Sequence, residues 1–279
     1  MYLNAAHIIH FIRSNKTKQR KGVVNMNITQ IRNATIVVEY ANKKFLIDPM
    51  LAEKGTYSTF PDTIRQDTFN PLVSLPTSID NILDGLDAVI VTHLHLDHFD
   101  EVAKNVLPKE IKMFVQNEAD AEEVKASGFK NVEVLQQDTI FEGIQLVKTK
   151  GVHGRGEELL KIIGEVCGVV FKHRSEKVLY VAGDTVWYKG VQEELDTHKP
   201  DIIIVNGGDN QFIEYGSLIM GKEDVYEVHK AAPNAKVISV HMEAVNHWTL
   251  SREELKNFSK EKEFSSNILV PEDGESYSF

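Results

Sequence analysis

A single cysteine, Cys167, excludes any disulfide within the chain, and with it the class of small secreted scaffolds held by cross-links. It lies in the apolar run Val166-Cys167-Gly168-Val169-Val170-Phe171 and is expected to be a buried strand residue. Long hydrophobic runs are also missing, none approaching the roughly 18 residues of a membrane span. A secretory signal of the usual order is not seen: Lys16, Lys18, Arg20 and Lys21 follow the apolar Ile8, Ile9, Phe11 and Ile12 instead of preceding them. A cytoplasmic protein without a membrane partner is the expectation. Positive charge is in deficit, since 31 basic against 41 acidic residues leave a net charge of −10. That balance repels a phosphate backbone and disfavours general nucleic-acid binding.

The 279 residues, 42% of them hydrophobic, are ample for a closed core. One domain over 26–279 is expected, preceded by a dispensable extension over 1–25, for which a membrane-touching amphipathic helix is the alternative. Short alternating runs predict an antiparallel meander of Asn27–Ile31, Thr35–Tyr40 and Lys43–Ile47, with turns at Arg32-Asn33-Ala34 and Ala41-Asn42. Asp48-Pro49 closes it, because proline bars continuation in a central strand. Residues 50–84 carry Pro61, Pro71 and Pro76 without regular periodicity. A loop of that length is expected to act as a flap beside a site, with Tyr57, Phe60 and Phe69 facing substrate or merely pinning the loop.

The chemistry concentrates in Thr92-His93-Leu94-His95-Leu96-Asp97-His98. The β-branched run Ala88-Val89-Ile90-Val91 precedes it, and Phe99, Val102, Ala103 and Val106 follow at helical spacing, so the motif sits on a strand-to-helix turn. His93 and His95, two apart on extended backbone, project the same way. Neutral imidazole and ionised carboxylate suit Zn²⁺, Mn²⁺ or Fe²⁺, and four such groups could serve two adjacent cations.

Further on, strands are predicted at Ile111–Val115, Val132–Leu135, Thr139–Phe141, Ile144–Lys148, Val166–Lys172, Lys177–Ala182, Asp201–Val205 and Lys236–Val240. Helices are predicted from Asn117 to Ser127, Val186 to Leu195, Lys222 to Ala232 and Ser251 to Lys260. Ser251 with Glu254 forms a capping box. Antiparallel strands followed by strand-helix units suggest two sheets face to face with helices outside. Val91 leads to His93, Ala182 to Asp184, Val205 to Asn206 and Val240 to His241, so four strands each deliver a ligand-type residue at the carboxyl end. The bland readings are an N-cap for Asp184, a satisfied core histidine for His241 and a capped turn for Asp48.

From Asp48 to His241 the sequence resembles the metallo-β-lactamase superfamily. The match rests on Asp48, on His93-x-His95-x-Asp97-His98, on His153 in Lys150-Gly151-Val152-His153-Gly154, on Asp184 in Gly183-Asp184-Thr185, and on His241. The resemblance implies an α/β (α+β) fold, a four-layer αβ/βα sandwich. It implies two divalent metal ions, zinc or manganese with iron as an option. One would be bound by His93, His95 and His153, the other by Asp97, His98 and His241, with Asp184 spanning both. Asp48 would orient a ligand histidine through its second ring nitrogen. Two dications facing two carboxylates retain positive charge, favouring a bound hydroxide and an anionic transition state.

Around that set, Asp97 and His247 are expected to be catalytic, and Asn206 and Arg155 to bind substrate. Leu46-Ile47-Asp48-Pro49, Gly183-Asp184-Thr185 and Asn206-Gly207-Gly208 are most similar to the branch containing ascorbate-6-phosphate lactonase. That implies hydrolysis of a lactone or related ester of a small, phosphorylated or plain, substrate. A phosphodiesterase and a mononuclear iron redox enzyme such as a persulfide dioxygenase are the alternatives. A small-molecule substrate and a homo-oligomer complete the expectations.

Overall fold

In the computed structural model, which describes residues 26–279, β1 (Asn27–Arg32), β2 (Thr35–Tyr40) and β3 (Lys43–Ile47) form the anticipated meander. The chain then passes through a long loop to α1 (Ile79–Leu83) and β4 (Ala88–Val91), α2 (Glu101–Val106), β5 (Lys112–Val115), α3 (Glu118–Ala126) and β6 (Asn131–Val134). A second series follows: β7 (Thr139–Phe141), β8 (Ile144–Lys150), α4 (Glu157–Ile163), β9 (Cys167–Lys172), β10 (Leu179–Val181), α5 (Lys189–His198), β11 (Ile202–Asn206) and the small hairpin β12 (Gln211–Phe212) and β13 (Gly216–Ser217). The chain ends with α6 (Lys222–Ala231), β14 (Lys236–Val240), α7 (Arg252–Glu261), β15 (Ile268–Leu269) and β16 (Ser276–Ser278).

Two seven-stranded sheets result, ordered β16-β1-β2-β3-β4-β5-β6 and β15-β14-β11-β10-β9-β8-β7. Both are mixed: β3 to β6 run parallel, as do β10, β11, β14 and β15, while the hairpins are antiparallel. Strand β4 shows why its sequence is apolar throughout. Ala88 and Ile90 join the core between the sheets, with Phe45, Phe171, Val169 and Ile204, whereas Val89 and Val91 face the opposite way under α2 and α3. A strand covered on both faces has no polar side to show. The second sheet is covered likewise by α5, α6 and α7 through Val191, Val225, Val228 and Leu255. This is the expected four-layer sandwich.

Differences from the sequence reading are local. The helix predicted from Val186 begins at Lys189; before it, Val186 donates its N–H to Val152 and Trp187 donates to Asp224, which tie this stretch to distant parts of the chain. Helix α4 was not anticipated. Arg32, read as a turn residue, ends β1 with its guanidinium buried and donating to the carbonyls of Met50, Ala52 and Val73. Among the described residues no helix is long and apolar enough to cross a membrane. The expectations for residues 1–25 lie outside the described residues.

Candidate metal centre

The seven side chains singled out as ligands come together at the carboxyl ends of the central strands. His93 Nε2 lies 2.9 Å from His95 Nδ1, and His153 Nε2 is 3.4 Å from Asp184 Oδ2. On the other side, His98 Nε2 is 3.2 Å from both His241 Nε2 and Asp184 Oδ2, and His241 Nε2 is 3.3 Å from Asp97 Oδ2. Donor atoms about 2.1 Å from a tetrahedral cation stand roughly 3.4 Å apart, so these separations fit the edges of coordination polyhedra. Among the described residues three groups could hold an ion: His93, His95 and His153; His93, His98 and Asp184; and Asp97, His98 and His241. Asp184 faces both sides, Oδ2 towards His93, His98 and His153 and Oδ1 towards His241.

The far nitrogens of these rings are anchored, which fixes how each ring is turned. His95 Nε2 meets the carbonyl of Ile163 at 3.0 Å, His153 Nδ1 that of Leu218 at 3.0 Å, and His98 Nδ1 the carboxylate of Asp48 at 2.9 Å. Asp48 also accepts from the N–H of Thr92 at 2.7 Å and its hydroxyl at 2.8 Å. Asp48 and His241 both have positive φ, 48° and 60°, conformations that bulky side chains adopt only under constraint.

The electrostatics favour a cation. Burial opposes ionisation of Asp97, yet the hydrogen bond from His241 and the charges of His98, His241 and His247 hold its carboxyl far below the usual range. Burial likewise opposes ionisation of Asp184, and His98, His241 and His153 outweigh it. His98 is the counterpart: burial pulls its pKa down, but Asp184 and Asp48 raise it well above the ordinary value. Burial, with His98 and His95, keeps His93 neutral, the form that coordinates. A largely buried cluster of imidazoles around two ionised carboxylates fits one or two divalent cations.

Beside the centre is a pocket of about 220 Å³, lined by Phe60, Leu96, Ile162, Ile163, Phe212 and Leu218 on its apolar side and by His95, Asp97, His153, Asp184 and His247 on its polar side. Of the flap aromatics only Phe60 reaches it, edge-on to His247 at 4.9 Å. Phe69 is exposed, and Tyr57 bridges to Asn70. The loop is clasped shut by Asn70 and Asn246, whose side chains meet at 2.9 Å, while Asn246 also donates to Thr63 at 2.6 Å.

Two residues expected to contact substrate are placed elsewhere. Asn206 donates to Asp184 Oδ1 at 2.5 Å, because the end of β11 abuts the loop after β10, so it orients that carboxylate and does not line the pocket. Arg155 is a half-exposed residue whose Nη2 lies 2.9 Å from both carboxylate oxygens of Asp224 on α6, an arrangement that spends its charge away from the pocket.

Three contributors went unrecognised in the sequence. Asn33, in the β1–β2 turn, donates to the carbonyl of Asp97 at 2.8 Å and accepts from the N–H of His241 at 2.9 Å, tying two candidate ligands to one turn. Asn210 bridges His241 and His247. Helix α4 supplies Ile162 and Ile163 to the pocket; the glycines that bracket it, Gly156 and Gly164, both at positive φ, and the paired glutamates of its first turn were the available signal.

Comparison with known proteins agrees with this geometry. The model of the family described as "Beta-lactamase superfamily domain" matches residues 43–242. "UPF0173 protein YddR" of Bacillus subtilis is 86% identical over 254 residues, covering 91% of this chain and 100% of that protein. Among solved structures, an isothiocyanate hydrolase from Delia radicum gut bacteria is 44% identical with a TM-score of 0.88, covering 91% of this chain and 99% of that one. A possible metal-dependent hydrolase from Veillonella parvula is 40% identical with a TM-score of 0.89, covering 91% and 100%. Fold, ligand-type residues and relatives agree: the chain belongs to the beta-lactamase superfamily domain family and, within it, to the UPF0173 metal-dependent hydrolases.

Proposed function

We propose that this hydrolase acts on small, uncharged electrophiles with an apolar tail, isothiocyanates being the favoured class, at a centre of two divalent cations. His93, His95 and His153 hold one cation, Asp97, His98 and His241 the other, and Asp184 both. When bound, the cations supply Lewis acidity and lower the pKa of a coordinated water toward neutrality. The observation that carries the substrate class is the pocket wall. Phe60, Leu96, Ile162, Ile163, Phe212 and Leu218 offer no cation to a phosphate, and Arg155 is paired with Asp224. The 44% identical isothiocyanate hydrolase supports the same class.

For R–N=C=S, addition of water at the central carbon gives the thiocarbamic acid R–NH–C(=O)–SH. Its C–N bond then breaks, with the thiol proton passing to nitrogen, to release R–NH₂ and carbonyl sulfide. Asp97, ionised and on the pocket wall, orients the attacking water, and His247 moves the proton. Burial holds the His247 pKa at about 4, so the ring is a neutral shuttle near neutral pH and not a standing acid. The apolar wall accepts R, and Phe60 and the α4 residues exclude water around it.

A neutral lactone or ester is the second reading, favoured by the same lining, which accommodates a carbonyl as well as a thiocarbonyl. A phosphorylated sugar acid or a phosphodiester finds no counter-charge on that wall. The complete group of Asp97, His98 and His241 counts against a mononuclear redox centre. The test is turnover by zinc- or manganese-loaded protein of phenethyl isothiocyanate, a neutral lactone series and a bis-aryl phosphodiester. Amine release with kcat/KM at least tenfold above the other two supports the proposal; preference for the phosphodiester, or no isothiocyanate turnover, overturns it.

A further inference from the structure

Two neighbouring residues at the end of α4 line the same pocket yet differ most in exposure. Ile163 is 8% exposed and packs with Leu159, Leu218 and Ile219, whereas Ile162 is 71% exposed, with Ile213 the most exposed large hydrophobic side chain among the described residues. Single exposed apolar residues are ordinary on a protein surface. Ile162 is different because it is also a wall residue, so it stands where the pocket opens to solvent. Phe60, Leu96 and Phe212 are half-buried between these extremes, and apart from the candidate ligands and His247 no titratable side chain lines the pocket. The apolar lining thus grades outward from Ile163 to Ile162 with no charge to interrupt it.

Ile162 is also at a set distance from the chemistry. The carbonyl of Ile163 meets His95 Nε2 at 3.0 Å, which pins the end of α4 to the candidate metal centre, and Ile162 is one residue away, about 3.8 Å between Cα atoms. The pocket volume, about 220 Å³, is below the roughly 300–1,000 Å³ of clefts that take up a whole drug-sized ligand. A substrate with its reacting carbon at the metals and a tail longer than this space has to continue past Ile163 towards solvent.

We propose that Ile162 is the outer part of a two-part tail site and determines specificity: it covers the end of an aliphatic tail too long for the enclosed pocket, so the enzyme prefers long-chain substrates to short ones. The occupant of the exposed face is the substrate's own tail, because the face is continuous with the lining that takes the tail's first carbons. Burying a methylene completely is worth about fourfold in affinity, and covering it on one side roughly twofold. The inference rests on the reading that the apolar wall takes the tail, and not on which electrophile the tail carries.

The test is a series of n-alkyl isothiocyanates from butyl to octyl with the zinc-loaded full chain. In the wild type kcat/KM is expected to climb about twofold per methylene, more than tenfold over the series and through KM. Ile162→Ser should flatten that climb to less than threefold. Ile140→Ser, which removes an equally greasy surface residue on β7, should keep the wild-type slope. Isoleucine δ1-methyl spectra read the contact without turnover, with Ile162 assigned by its loss in Ile162→Val. N-octylacetamide is expected to shift the methyls of both Ile163 and Ile162, and N-methylacetamide to leave Ile162 in place. An Ile162 methyl unmoved by the octyl amide while Ile163 shifts, or a wild-type slope in Ile162→Ser, overturns the outer site alone. Neither methyl moving overturns the reading of the wall as well. Both moving in a protein that does not turn over isothiocyanates removes that substrate class and keeps the site. Light scattering that shows Ile162→Ser splitting a wild-type dimer would give the exposed face to a second copy of the chain and overturn the proposal.

Discussion

Asp48 Oδ2 lies 2.9 Å from His98 Nδ1, while Asp48 Oδ1 takes the N–H of Thr92, so one carboxylate at the end of β3 fixes both the strand end and the ring that leave β4. A carboxylate behind a ligand imidazole sets its tautomer and raises its basicity. Asp48→Asn keeps the size and removes the charge. Its affinity for zinc is expected to fall about 10- to 100-fold, measured by competition with a chromophoric chelator; an unchanged affinity would leave Asp48 with a purely structural role.

His95→Ala removes one of three donors around the first proposed cation but leaves the strand buried beneath it. Turnover is expected to fall on the order of 10³-fold, the equivalent of about 4 kcal/mol of lost transition-state stabilisation. The far-ultraviolet circular dichroism should be unchanged. Wild-type activity in this variant would remove the metal-assisted mechanism.

Phe212 stands on the apolar wall at the start of the β12–β13 hairpin. In Phe212→Ala, kcat/KM for phenethyl isothiocyanate should drop about tenfold through KM, corresponding to ~1.4 kcal/mol of lost apolar contact. A methyl-substituted substrate should lose much less. Equal losses for both would place Phe212 away from the substrate tail.

Arg155→Ala tests the charge of the substrate. The Arg155–Asp224 pair is half exposed on the arginine side and is expected to be worth less than about 1 kcal/mol of stability. Activity on neutral substrates should stay within twofold of wild type. A tenfold fall in kcat/KM would instead give Arg155 a part in binding and restore a phosphorylated substrate.

Burial lowers the His153 and His247 pKa values to about 4 from an ordinary 6.5. In the metal-free protein both rings remain neutral while the unfolded chain takes up protons, so stability should fall as pH drops from about 6.5 to about 4. His98, raised by Asp184 and Asp48 against the effect of burial, acts oppositely: its contribution is complete below 6.5 and is lost as pH rises through its folded value. Thermal melts of chelator-treated protein should show this acid-side loss, and His247→Gln should make it shallower. Superimposable pH profiles would contradict the buried neutral ring.

The parts legible in the sequence were those whose cause is local. His93, His95, Asp97 and His98 share one turn, and β4, β11 and β14 are apolar runs that end in ligand-type residues, so strand ends and donors could be read together. Asp184 and His241 followed from the same pattern. Asn33 and Asn210 could not be read this way, because an asparagine at a turn has the same local signature whether it caps backbone or holds a ligand, and Asn206 could be read as a polar strand end but not as the partner of Asp184. Arg155 shows the reverse: its place two residues after His153 suggested substrate, and its pairing with Asp224, 69 residues away, has no local signal at all.

The order of strands and helices and the layering around two buried sheets were written in hydrophobic periodicity and residue type, which act over a few residues and survive without knowledge of the rest, and the inventory of candidate metal ligands was completed by the resemblance to a known family. Which ring nitrogen faces inward, which asparagine turns which carboxylate, and whether the wall beside the centre is charged or apolar were decided only by folding. Each depends on side chains from several elements arriving within hydrogen-bond or van der Waals reach, and such distances are set by the packing of the whole domain and not by any single stretch of it.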